Sequence, residues 1–535
     1  MIARKSFVIV ISQFLTLFIG WIGLVVLTKL WGGFAPEALG IIGFAMSFLA
    51  LFNFIADMGF NQAHVKRISE GEDIGACIST YAAIKVFLTI LMAAIVFVSV
   101  FIWKNILHQG FYDSTTESVI TVFIFYYVFL NIQQIAISTF EGTKEIAKRE
   151  MIRSIANLVK VPLMILVAIS GVVIVGKASV SPAVNWPSIL QPLQQFIASH
   201  AIGSLAMAYV FSVISSIFVG IYLIRKYPWK KPNWKLGKSY FSFASPIILI
   251  LIMGVISVNI DKILIGYFWT ATEVGYYYSV QQVLQIVVIF PTAVCTILLP
   301  TFSEYYSLKH FQRIRETIQL AERYISMIIV PIIVVIIIFS SPIINIMFNG
   351  AFLPATSVLV IFMIYVLLSG LTMPYSSLLS GINKPGLSAR IGFISFIVIL
   401  TLDFLLIPKW DLLSVYGING INGAAIAILA SSIIGFVGLR LVTRKYTKLD
   451  FFQNHILLHI IAGIIMACLL YPINILVPVI HWYELIVFSF AGLAIYLSVL
   501  VFLKEFKKKD LHFFLDILYL KETFNYLKSE LKSKQ

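Results

Sequence analysis

Val258-Asn-Ile-Asp-Lys-Ile-Leu-Ile-Gly266 sets an acid and a base side by side, Asp261 and Lys262, inside an apolar run from Ser245 to Trp269. Such a run is long enough to cross a bilayer, which takes about 20 predominantly apolar residues. An ionisable side chain held in a span costs about 2.5–3.5 kcal/mol on insertion scales. Neighbouring residues on a helix point about 100° apart, so the pair is not expected to neutralise itself, and each member needs its own partner or water. That expense inside a membrane span points to transport.

Outward from this stretch the chain keeps the same character. Of its 535 residues 60% are hydrophobic and 12% charged, where a soluble domain carries about 25% charged residues. The sequence therefore describes an all-α polytopic membrane protein. Cys77, Cys295 and Cys468 lie far apart, in or beside apolar runs, and form neither a metal-ligand spacing nor a disulfide framework. They read as small buried hydrophobes. The apolar run from Ser6 to Leu30 is too long for a signal peptide and lacks a small-x-small cleavage site, so it reads as the first transmembrane helix.

The span requirement divides the chain into about fourteen helices, near 6–30, 40–63, 78–103, 118–140, 154–176, 200–224, 241–269, 276–303, 318–345, 356–381, 387–408, 421–443, 456–478 and 483–503. Pro246, Pro291, Pro331 and Pro374 fall inside spans, where kinks are tolerated if the freed carbonyls find partners. Alternate loops then carry Lys and Arg very unequally. One set holds Lys66 and Arg67; Lys144, Lys148, Arg149 and Arg153; the cluster from Arg225 to Lys238; Lys309, Arg313, Arg315 and Arg323; Lys384 and Arg390; and Arg440, Arg444, Lys445 and Lys448. The other offers Lys29, Lys104, Lys177 and Lys409. By the positive-inside rule, both termini and the basic loops face the cytoplasm from a multi-pass position in the plasma membrane.

The net charge of +15, from 39 Lys and Arg against 24 Asp and Glu, thus serves orientation and contact with anionic headgroups, and nucleic acid is not an expected partner. Beyond the last span, Lys507-Lys-Lys509 with Leu511, Phe514, Leu515 and Leu518 predicts a basic amphipathic helix lying on the cytoplasmic face.

The chain also repeats itself. Leu39-Gly-Ile-Ile-Gly-Phe-Ala45 parallels Val274-Gly-Tyr-Tyr-Tyr-Ser-Val280, Gly142-Thr-Lys144 parallels Gly381-Ile-Asn-Lys384, and Gly203-Ser-Leu-Ala-Met-Ala208 parallels Gly423-Ala-Ala-Ile-Ala427. Six spans separate each pair, an even number, so the halves share one orientation and form a parallel repeat. Such halves commonly rock about a central cavity, giving alternating access. The expected organisation is a six-helix lobe over 1–226, a second over 227–447, two extra helices over 448–503 and a basic tail over 504–535.

Charged residues within the spans form two groups. Asp57, Lys85 and Lys160 sit toward the cytoplasmic ends of the second, third and fifth spans, whereas Asp261, Lys262 and Asp403 lie toward the outer ends of the seventh and eleventh. On one reading Lys85, Lys160 and Lys262 line a wet cavity and receive an anionic substrate such as a pyrophosphate. Asp57, Asp261 and Asp403 would then pair with them or take part in ion coupling. On the other, the lysines snorkel to the nearest interface. Arg390 reads as a positive-inside residue.

No phosphate-binding Gly-x-x-x-x-Gly-Lys-[Ser/Thr] loop occurs, and no His/Glu metal motif. The longest outer loop, Lys177 to Ser199, is rich in Pro, Gln and Ser and has no acidic residue to act as a catalytic carboxylate. Neither an enzyme nor a cofactor or metal is expected.

Asp261-Lys-Ile-Leu-Ile-Gly266 followed by Val274-Gly-Tyr-Tyr277 resembles the polysaccharide flippases, as do Leu299-Pro-Thr-Phe-Ser303 and Leu406-Ile-Pro408 with Gly420-Ile-Asn-Gly-Ala-Ala-Ile-Ala427. These are the Wzx-type, polysaccharide-transporter branch of the multidrug/oligosaccharidyl-lipid/polysaccharide (MOP) exporter superfamily, to which the multidrug MATE transporters also belong. The resemblance implies a V-shaped, two-lobed bundle that moves an undecaprenyl- or dolichyl-pyrophosphate-linked oligosaccharide to the outer leaflet. The product would serve O-antigen, capsule, exopolysaccharide or glycoprotein assembly. Its partners would be that lipid-linked glycan, membrane lipids, a coupling cation (H+ or Na+) and glycan-assembly proteins. Lipid II flippases of the superfamily carry arginines in the first two spans, and this chain has no internal basic residue there. A multidrug or small-cation antiporter of the same superfamily is the alternative, and a membrane glycosyltransferase or ligase a more remote one.

Overall fold

The computed structural model describes residues 2–106, 114–174, 178–448, 453–477, 479–508 and 510. Its long helices in chain order are α1 (Ile2–Trp31), α2 (Ala35–Asp57), α3 (Ile74–Phe101), α4 (Ser114–Gly142), α5 (Ile146–Ile169), α6 (Ala201–Ile224) and α7 (Trp234–Phe268). They continue with α8 (Ala271–Ser307), α9 (Phe311–Ile338), α10 (Thr356–Gly381), α11 (Pro385–Leu406), α12 (Gly420–Thr447), α13 (Asn454–Leu476) and α14 (Trp482–Phe502). Thirteen stretches of the described residues are long and apolar enough to cross a membrane. The first, Ser12–Asp57, is 46 residues long and takes in α1 and α2, joined by a 3-10 turn at Gly32–Phe34. Counted as two, they give the fourteen spans expected.

Polar side chains set several starts. Asp73 accepts from Ala76 N at 2.8 Å to begin α3, Asn233 from Lys235 N at 2.9 Å to begin α7, and Thr270 from Glu273 N at 3.3 Å to begin α8. Each satisfies an N–H that the first turn leaves open.

The second span departs from expectation. Read as one helix over 40–63, it stops at Asp57, turns through Met58 (φ 41°) and Gly59 (φ 82°), and resumes as a separate helix, Phe60–Ser69. Left-handed backbone cannot continue an α-helix. The connection between α5 and α6 carries regular structure: Val172–Ile174 pairs antiparallel with Ala178–Val180, and a short helix, Gln191–Ser199, follows. The surface helix expected over Leu511–Leu518 lies outside the described residues.

Helix packing repeats with a period of six. In the first half α1 packs on α5, α5 on α6, α6 on α4, and α2, α3 and α4 on one another. In the second, α7 packs on α11, α11 on α12, α12 on α10, and α8, α9 and α10 on one another. The halves meet chiefly through α2 against α8, flanked by α2 on α7 and α1 on α8, while α13 and α14 pack outside on α9.

The repeat-related glycines Gly40 and Gly275 make the α2–α8 crossing possible. A Cβ on Gly40 would lie 1.6 Å from the Ala271 oxygen, and one on Gly275 would lie 1.9 Å from the Pro36 oxygen. Both sit in the first turns of their helices, at the end of the bundle away from the Lys/Arg-rich loops. At that far end one apolar core runs through both halves, joining Leu27, Leu39 and Ile42 to Val274, Phe348 and Phe352. At the basic end the core divides: Phe302, Ile314 and Leu379 cluster within the second half, and Ile78, Phe140 and Ile152 within the first.

One helix crosses this division. The basic end of α7 packs on the first half, with Leu236 and Tyr240 buried beside Tyr81 and Phe60. Its far end packs on α11, and between them Leu249 and Ile250 stay exposed.

Candidate functional site

A cavity of about 720 Å³ lies among α1, α7, α8, α10, α11 and α12. Helical spacing delivers its polar wall. Gln281 and Gln285 stand one turn apart on α8, Ser369, Thr372 and Ser376 share a face of α10, and Ser395 and Ser431 face each other from α11 and α12. Those last two exchange hydroxyl-to-carbonyl bonds of 3.3 and 3.0 Å. Gln13 enters from α1. Asp261 is the one charged side chain among the described residues that line the cavity.

Asp261 is fully buried and Lys262 is 4% exposed. Lys262 Nζ lies 3.3 Å from Asp261 Oδ1 and also donates to Val258 O at 2.5 Å and Gln281 Oε1 at 3.0 Å. Three acceptors use all three ammonium protons. This corrects the expectation that the two need separate partners. Although the Cβ atoms diverge, the flexible four-carbon stem of Lys262 bends back to the preceding carboxylate. The Gln281 amide completes the link by donating to Asp261 Oδ2 at 3.4 Å.

Asp403, on α11, is fully buried, and neither of its carboxylate oxygens has a hydrogen-bond partner. Asp261 and Lys262 are the charges acting on it. The ammonium is paired to Asp261, and the second buried carboxylate lies in the field of that pair without a bond to it. A buried carboxylate without a donor is costly unless it takes up a proton or a cation.

The remaining sequence-selected residues lie elsewhere. Lys85 is 1% exposed and donates to Ala56 O at 2.8 Å and Asn61 Oδ1 at 3.2 Å. Ala56 is in the last turn of α2, so the ammonium sits where that helix breaks and its carbonyls lose their partners. Asp57 lies in the field of the same ammonium. Lys160, half-buried on α5, holds its ammonium 5.2 Å from the Tyr209 ring centre on α6 and has no carboxylate within ion-pair distance among the described residues. Arg390 is exposed near the start of α11.

Two constellations were not anticipated. Arg440, assigned above to a basic loop, is 3% exposed and pairs with the fully buried Glu322 across α9 and α12. Glu322 follows Ile314 and Ile318 at helical spacing and precedes Ile325 and Ile329, which was the available signal. At the far end Asn349, with φ 135°, donates to Thr28 O at 2.6 Å and Gly32 O at 3.2 Å, tying the end of α1 to the second half. Lys29 Nζ adds a bond of 2.7 Å to Asn345 O.

Two family models, both described as polysaccharide biosynthesis protein, match residues 2–186 and 195–357. A probable low-salt glycan biosynthesis flippase of Haloferax volcanii is 27% identical over 270 residues, 50% of this chain and 55% of that protein. An uncharacterized membrane protein of Methanocaldococcus jannaschii is 25% identical over 267 residues, 49% of this chain and 51% of its own length. The chain spans about half the length of the curated relatives it matches.

Among solved structures, the lipid II flippase MurJ in an inward closed conformation aligns with TM-score 0.70 at 15% identity, over 92% of this chain and 98% of that one. An inward-facing multidrug resistance MATE family transporter of the MOP superfamily gives TM-score 0.61 at 12% identity, over 82% and 99%. These likenesses give the fold, that of a polytopic all-α MOP exporter. The resemblance to polysaccharide biosynthesis and export proteins carried by the sequence motifs is borne out by the family matches.

Proposed function

We propose that this chain, a polysaccharide biosynthesis-type protein with the MOP exporter fold, is a flippase. Its cargo would be a polyprenyl (undecaprenyl or dolichyl) pyrophosphate-linked oligosaccharide, carried across the cytoplasmic membrane by alternating access. The observation that carries the reading is the divided core: the halves share one apolar core at the far end, over a polar cavity, and at the basic end the core splits into separate clusters joined across the halves by the start of α7. With the basic loops and both termini cytoplasmic, that arrangement is a state closed outward.

The lobes are residues 1–226 and 227–447, followed by the extra helices over 448–503 and the tail over 504–535. Lys160 is the proposed partner of the pyrophosphate, because Lys262 commits its three protons to Val258, Gln281 and Asp261, and Lys85 is 1% exposed and bonded to Ala56 and Asn61. The proposed coupling site is Asp261 with Asp403, whose unpartnered carboxylate has room in its chemistry for H+ or Na+.

Deleting the gene in a strain without redundant flippases should trap lipid-linked glycan in the inner leaflet; normal export would refute the reading. Asp403→Asn should remove any dependence of flipping on the cation gradient. The second reading, a multidrug or small-cation antiporter, draws on Asp261 as the charge lining the cavity. Resistance to cationic dyes on expression, without a glycan phenotype, would decide for it.

A further inference from the structure

The cavity wall differs in kind from one made to hold an anion. Among the described residues that line it there is no Lys or Arg, and its charge is the Asp261 carboxylate. The Lys262 ammonium lies beside it, but its three protons are committed to Val258 O, Gln281 Oε1 and Asp261 Oδ1. Against this, the wall offers amides and hydroxyls from four helices. Gln13 on α1, Ser257 on α7 and Gln285 on α8 have no hydrogen-bond partner among the described residues, so their donors and acceptors are free for a guest. Thr372 donates to Leu368 O at 2.6 Å, which leaves its lone pairs as acceptors. Tyr365 adds an aromatic face.

We infer that this cavity holds an uncharged stretch of glycan, hexose or N-acetylhexosamine rings bearing hydroxyl and amide groups, and disfavours rings that carry carboxylates. The inference rests on the flippase reading and narrows its cargo. A neutral ring exchanges its bonds to water for bonds to Gln13, Ser257, Gln285 and Thr372. A uronic acid placed there finds no available cation, and the charge behind the wall is the buried Asp261 carboxylate. A carboxylate desolvated without a partner costs several kcal/mol, and each 1.4 kcal/mol is a factor of ten. The pyrophosphate itself stays outside the cavity, on the Lys160 side.

The test uses the full chain in proteoliposomes with two probes on the same polyprenyl pyrophosphate. One carries a neutral N-acetylglucosamine-containing oligosaccharide, and the other the same oligosaccharide with one glucuronic acid. Flipping is read as accessibility to an external glycosidase. The neutral probe should flip at least about tenfold faster. Gln285 has no internal bond to lose, so Gln285→Lys should fold and should raise the rate of the acidic probe about tenfold relative to the neutral one. Equal rates for the two probes in the parent protein would overturn the inference and leave the flippase reading standing. An unchanged ratio in a folded Gln285→Lys protein would also overturn it. Failure of both probes to flip would remove the flippase reading and the inference together.

Discussion

Adding a single methyl group at Gly40 or Gly275 should open the far end of the protein. A Cβ at Gly40 meets the Ala271 carbonyl oxygen at 1.6 Å, and such contacts do not fall below about 3.0 Å, so α2 and α8 must part by roughly 1.4 Å. Backbone, not a flexible side chain, is what lies in the way at both glycines, so the strain cannot be relieved by a rotamer change. Overpacking of this kind costs about 1–3 kcal/mol, and here it falls on the state in which the two helices touch. That energy shifts the ratio of molecules open at the far end to molecules closed there by about 5- to 150-fold. Spin labels on Gly33→Cys and Leu353→Cys, both exposed near the far end, in a background with Cys468 replaced, would report the separation by electron–electron resonance. Gly40→Ala and Gly275→Ala should lengthen and broaden the distances. Gly386→Ala, where nothing lies within 4 Å of the added carbon, should not. Unchanged distances in folded Gly40→Ala and Gly275→Ala proteins would refute the view that this crossing holds the far end closed.

Other consequences are open to measurement. Lys85→Met leaves the Ala56 carbonyl without its donor and should lower thermal stability by about 1–3 kcal/mol, whereas Lys85→Arg should recover part of it. Breaking the buried pair at one side, by Glu322→Gln or Arg440→Met, should cost about 3–5 kcal/mol; the double variant should recover part of the loss, and strict additivity in thermal unfolding would argue against the pair. Asp73, outside the membrane, is held below the usual carboxylate range by the Lys230 ammonium and then by the Ala76 N–H. Its folded pKa is depressed, so its contribution is present above the unfolded value of about 3.9 and lost as pH falls through the folded one. Hydrogen exchange at Ala76 should therefore accelerate only on the acid side, and Asp73→Asn should remove that dependence. Asn349→Ala removes two bonds to the end of α1 and should increase labelling of far-end cysteines; labelling unchanged from the parent would deny it a closing role.

The number of spans and the six-helix repeat were legible because both live in hydropathy and spacing, which survive without any side-chain detail, whereas the span limits near 154–176 and 318–345 fall several residues late against Ile146–Ile169 and Phe311–Ile338. The break in α2 was not: Met58 and Gly59 are apolar or neutral, and a hydropathy window passes over a turn made by two dihedral angles. Arg440 was misassigned because it lies four residues before Arg444-Lys445, within reach of the same interface by counting. The Asp261–Lys262 contact is not legible from Cβ directions, because the end of a lysine side chain lies four carbons from its Cα and can return to the preceding carboxylate. The cavity itself left little trace, since most of its polar wall is Ser and Thr, which lower hydropathy far less than charges do. Only the face-by-face register of α8, α10, α11 and α12 assembles them.

The divided allegiance of α7 bears on how the two halves can be exchanged between relatives. Its basic end is pinned to the first half: Lys230 N donates to Ser79, Asn233 N donates to Thr80, and Tyr240 bonds His64 at 3.0 Å. A chimera joined at the loop before α7 would keep the repeat intact on paper yet sever every one of these ties. Joined within the sparsely packed turns around Leu249 and Ile250, the ties of the basic end to the first half would stay within one parent, while the crossing of Gly266 past Phe44 on α2 would have to be matched between the two.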